Sequence, residues 1–118
     1  GPLYMSPLGR HAYRTTNVPY VQHLFTEDAL AEFAREISPP GDPELKMLAK
    51  DYVNGVPLAD YRRAWTEHAN EVDTLINVEN PDTRYLDMIA RYPSCFRSKS
   101  GDIEEFLVAF IEILVRKK

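Results

Sequence analysis

The chain has 118 residues, with a hydrophobic content of 44%, a charged content of 27% and a net charge of −4. That length supports one domain with its own core, and the composition excludes wholesale disorder. The acidic balance gives no long-range pull on nucleic acid, and the single Cys95 excludes an internal disulfide framework and fits a reducing compartment.

Gly1-Pro2 opens the chain without an initiator methionine. A tag-removing protease leaves such a dipeptide, so the sequence reads as a domain excised from a larger intracellular protein. Residues 1–24 read as an irregular N-terminal arm, because Pro2, Pro7, Gly9 and Pro19 interrupt any helical period. Residues 18–25 read as docked on the domain, with Tyr20 supplying contact area at low entropic cost.

Residues 25–118 carry five helix signals. Thr26 is placed to cap a helix with Leu30, Phe33, Ala34 and Ile37 inward, stapled by Phe25 packing on Leu30. Asp42 and Pro43 start a second, with Leu45, Leu48, Ala49 and Tyr52 on one face and Gly55 past its end. A third runs from near Pro57 to about Asn77, with Leu58, Tyr61, Trp65, His68, Val72 and Leu75 in steps of three and four.

Asn80, Pro81 and Asp82 start a fourth, with Tyr85, Met88, Ile89 and Tyr92 inward until Pro93 stops it. A loop over 93–101 follows, and Asp102 with Glu105 then forms a capping box for a fifth helix reaching Val115. No strand alternation of useful length, internal repeat or low-complexity tract stands out. The expected fold is all-α, a compact five-helix, bundle-like domain.

The one-sided stripe of Tyr61, Trp65, His68 and Val72 reads as a core face, since packing an amphipathic face supplies most of a helix's stability. His11, His23, His68 and Cys95 show no paired ligand spacing, so no metal or other cofactor is expected. Cys95 reads as a small filler after a proline, and the pairs Glu67/Glu71 and Glu104/Glu105 as exposed helix charges. Nucleophile, base and orienting group do not assemble from these motifs, so no enzyme is expected.

The apolar fifth segment is the informative one. On a helix, Ile103, Phe106, Leu107, Phe110 and Leu114 face inward; either the domain wraps the far side as well, or Val108, Ile111 and Val115 are left as an outer stripe rimmed by Glu104 and Glu112. The spacing fits a docking helix or peptide, or a second copy of the chain. The expected function is therefore a protein–protein interaction or dimerisation module. The alternative is a helical nucleic-acid-binding domain that gathers Arg62, Arg63, Arg91, Arg97 and Lys99 into a local basic patch. No membrane role is expected: the longest apolar run, 106–115, is too short to span a bilayer and contains Glu112.

Overall fold

A computed structural model of the chain describes residues 2–12, 16–43 and 54–118. The described elements are α1 (Val21–Leu24), α2 (Glu27–Ile37), α3 (Leu58–His68), a 3-10 turn (Ala69–Glu71), β1 (Val72–Pro81), α4 (Leu86–Arg91), α5 (Pro93–Arg97), α6 (Glu104–Leu107) and β2 (Val108–Lys117). β1 and β2 pair antiparallel in a two-stranded sheet. The fold is mixed helix and sheet, which corrects the all-α, five-helix expectation.

The two errors share a cause. The expected third helix stops at His68, and Val72–Pro81 is strand. The expected fifth keeps only Glu104–Leu107 before the chain extends into β2. Val72, Thr74, Ile76 and Val78 place β-branched side chains at alternate positions, and β2 carries Val108, Ile111, Ile113 and Val115. Such residues lose χ1 freedom in a helix and pack well on a pleated surface. Neither strand satisfies its backbone alone; each is the other's hydrogen-bond partner.

Smaller corrections follow along the chain. Asn80 and Pro81, expected to start a helix, end β1, and Pro93, expected to stop one, is the first residue of α5. Proline lacks only an N–H that a first-turn residue would leave unpaired, so the position suits it. The expected second helix falls largely outside the described residues; of its start, Asp42 is buried. The expected first helix forms as α2, with Ala29 N–H donating to Thr26 Oγ1 at 3.1 Å and with Leu30 and Ala34 buried. Phe33 and Ile37 on the same helix stay about half exposed.

Residues 2–12 fold back on α1, α2 and the sheet. Leu3 N–H donates to the Ala109 carbonyl at 2.7 Å, and Tyr20 N–H to that of Pro7 at 2.7 Å. Gln22 Nε2 donates to the Tyr4 and Ser6 carbonyls at 2.7 and 2.9 Å, and buried Arg10 pairs with Glu27 at 2.9 Å. Gly9 is required here, because a Cβ would collide with the Leu3 and Tyr4 carbonyls. Polar groups that irregular backbone would otherwise bury unpaired are thereby bonded.

The core sits where α1, α5 and α6 meet. Tyr20, Phe96 and Phe106 are buried with ring centroids 5.0 and 5.1 Å apart, edge to face, and His23 packs 5.3 Å from Phe106. Such pairs add to simple area burial because each ring's positive edge meets another's negative face. Tyr20 takes a left-handed backbone conformation with φ of 58° and donates its hydroxyl to the Phe106 carbonyl at 2.9 Å. Burial pushes its phenol pKa up. It also lowers that of His23, against the opposing effect of the Met5 carbonyl, to which Nε2 donates at 3.0 Å.

Candidate functional site

α3, the turn and the two strands form one unit. α3 runs outward from α6, the chain reverses through Ala69–Glu71, and β1 returns along the helix to pair with β2. The start of α3 is fixed by a residue distant in sequence. Leu58 and Ala59 N–H donate to the two Glu105 carboxylate oxygens at 2.8 and 3.0 Å, and Glu105 is buried. A carboxylate there satisfies orphan donors and complements the helix dipole. Arg62 reinforces the joint: its guanidinium bonds Glu79 of β1 at 2.7 and 2.6 Å and pairs with Glu104 of α6 at 2.6 Å.

Pairing fixes which side chain lies on which face. Asn77 pairs with Ile113 and Glu79 with Ile111, and these four share a hollow of about 310 Å³ with Tyr61, Arg62, Trp65 and Thr66 of α3. One face of the ribbon therefore lies under α3. Because paired residues share a face, Ile76 with Leu114, Val78 with Glu112 and Asn80 with Phe110 lie on the other. Extra residues at Leu75 and Ala109 shift the register without mixing the faces between them.

The face turned away from α3 is apolar and open. Ile76, Val78, Phe110 and Leu114 are each 43–50% exposed. Polar pairs flank them: Asn80 Nδ2 donates to Glu112 at 2.9 Å, and Arg116 pairs across the strands with Asp73 at 2.9 Å. Leu75, Ile113 and Val115 are also exposed, so both faces of the ribbon's outer half show apolar side chains. A two-stranded ribbon is marginal in water by itself, and an apolar cluster rimmed by polar groups is the usual character of a recognition surface.

The residues expected to form one partner stripe are divided by the strand. Val108 is buried at the base of β2, and Ile111 faces α3. Val115, which pairs with Thr74, is exposed near the ribbon's end; Glu112 lies on the opposite face, and Glu104 belongs to α6. Of the five, Glu112 joins the open face. Sequence reasoning missed Ile76, Val78, Phe110 and Leu114, although the alternation of Ile76, Val78 and Asn80 in β1 carries the signal.

The basic residues are mostly engaged. Arg62 is held by two glutamates, Arg63 pairs with Asp60 at 2.9 Å, and Arg91 lies 3.6 Å from Asp87. Arg97 lines a hollow of about 440 Å³ with Ile89, Phe96, Ile103 and Phe106, and Lys99 follows α5. The basic groups are thus spread over α3, α4 and α5, each of the first three beside a carboxylate.

His68, expected on the inner face, is exposed, with Nδ1 2.8 Å from Glu71, which raises its pKa. Cys95 is half-buried against the aromatic core. Among the described residues, no group of three or more His, Cys, Asp or Glu side chains is placed to hold a metal ion. No helix among them is long and apolar enough to cross a membrane. No protein family model, curated protein or solved structure matches the chain.

Proposed function

We propose that the chain is a non-enzymatic protein–protein interaction module whose recognition surface is the β1–β2 ribbon. The observation that carries this reading is the open apolar face of Ile76, Val78, Phe110 and Leu114, flanked by Asn80, Glu112, Asp73 and Arg116. Burying those four side chains in a partner removes apolar surface from water, and the polar rim supplies orientation. Protein is favoured over nucleic acid because Arg62, Arg63 and Arg91 each sit beside a carboxylate, which cancels the local positive field.

The test uses short peptides selected by display on the immobilised domain, with Val78→Lys/Phe110→Lys as the comparison. Both positions are nearly half exposed, so this variant is expected to keep its circular dichroism and melt close to wild type. Peptide affinity should fall at least about tenfold. Peptides that bind the variant as tightly as wild type refute the ribbon as the recognition surface. Unfolding of the variant shows that the face belongs to the core.

A further inference from the structure

We propose that β2 pairs edge to edge with β2 of a second copy, about a two-fold axis through Leu114. This rests on the reading of the ribbon as an interaction surface and names one occupant for its open edge. β1 covers one edge of β2. On the other, Ala109 accepts from Leu3, and among the described residues no backbone group bonds the stretch from Phe110 to Lys117. An unpaired apolar strand edge is a template for another strand. Ile113, Leu114 and Val115 are exposed in succession there, on both faces, as expected where the missing neighbour is lateral.

The charges select both the strand and the register. In antiparallel pairing, opposed residues share a face, so a symmetric pair must centre on a residue. Centring on Glu112 opposes like charges across the axis, which is destabilising. Centring on Ile113 sets Glu112 against the partner's Leu114 and Arg116 against the partner's Phe110. Centring on Leu114 sets Glu112 against the partner's Arg116 twice, Ile113 against the partner's Val115, and Leu114 against its own copy.

Only the Leu114 register of these three gives every charged or apolar residue from 112 to 116 a matching partner. Arg116 can bridge Asp73 and the incoming carboxylate, since its guanidinium offers five donors. The outer edge of β1 lacks this complementarity: its charged residues, Asp73 and Glu79, are both acidic. The resulting sheet has four strands in the order β1–β2–β2–β1, with both α3 helices on one face. The open apolar face is then doubled rather than covered, so self-pairing and peptide binding use different surfaces.

The experiment combines light scattering with site-directed cross-linking of the whole chain. At about 100 µM the wild type should run at twice the chain mass. Leu114→Lys, which places like charges on the axis at a half-exposed position, should be monomeric. Val78→Lys, on the outer strand of that sheet, should remain dimeric.

In a Cys95→Ser background, Leu114→Cys should form an intermolecular disulfide under mild oxidation, because directly opposed Cα atoms lie within bonding reach. Glu112→Cys should not, being offset by four residues, about 13 Å. A wild type that stays monomeric overturns the proposal, as does a Glu112→Cys variant that cross-links more readily than Leu114→Cys. Should Leu114→Lys fail to fold, the cross-linking pair still decides. A monomer whose peptides still need Val78 and Phe110 refutes the dimer and leaves the recognition surface standing.

Discussion

Glu105 is the residue whose loss should report most directly on how the ribbon unit is joined to the rest of the chain. Its carboxylate accepts from Leu58 and Ala59 N–H at 2.8 and 3.0 Å in a site only 6% exposed. Glu105→Ala removes two charge-assisted bonds, each worth about 1.5–3 kcal/mol, and leaves two donors facing a buried gap. Part of that is recovered because the carboxylate no longer has to be desolvated and water can enter. A net loss of about 3 kcal/mol is expected, against about 1.5 kcal/mol for Glu105→Gln, which keeps one acceptor.

With an unfolding entropy of about 0.25 kcal/mol/K for a chain this long, the alanine variant should melt about 12 °C lower. Urea unfolding followed by circular dichroism should show a lower midpoint at unchanged slope. Amide hydrogen exchange at Leu58 and Ala59 should rise before that of the ribbon. If both variants lose less than about 0.5 kcal/mol and exchange at Leu58 and Ala59 is unchanged, the carboxylate does not anchor α3.

Trp65→Ala should cost about 1–2 kcal/mol, less than the roughly 3–5 of a fully buried aromatic, because Trp65 is half-buried along the α3–ribbon hollow. Urea titration checks this, and a loss above about 4 kcal/mol would mean that α3 seals the sheet completely. For His23, burial holds the folded-state pKa below the ordinary 6.5, so the unfolded chain binds the proton first. Its contribution to stability is complete above pH 6.5 and declines as pH falls from 6.5 toward the folded value, by up to about 1.4 kcal/mol per unit. Melting temperature between about pH 7.5 and 5.5, with the imidazole resonance followed by NMR, checks it; a His23 that titrates at 6.5 refutes the shift.

What the sequence determined by itself is what short-range chemistry settles. Thr26 accepts from an N–H three residues on, so α2 begins where its hydroxyl can reach. Leu30 and Ala34 face inward because the helical period aligns them. The start of α3 after Pro57 and the break at Pro93 follow from proline's fixed φ and missing N–H, although only the structure shows Pro93 opening a helix rather than a loop.

The tertiary structure alone decided the strands. Val72 and Leu75 fit a helical stripe extended from Trp65 as well as they fit β1, and the apolar run of β2 fits either period. A helix closes its hydrogen bonds within one segment, whereas a strand must find a second one, here about 30 residues away across α4, α5 and α6. The same dependence hid Glu105. Beside Asp102 it resembles half of a capping box for its own helix, yet its carboxylate closes the N-terminus of α3, which only folding brings within reach.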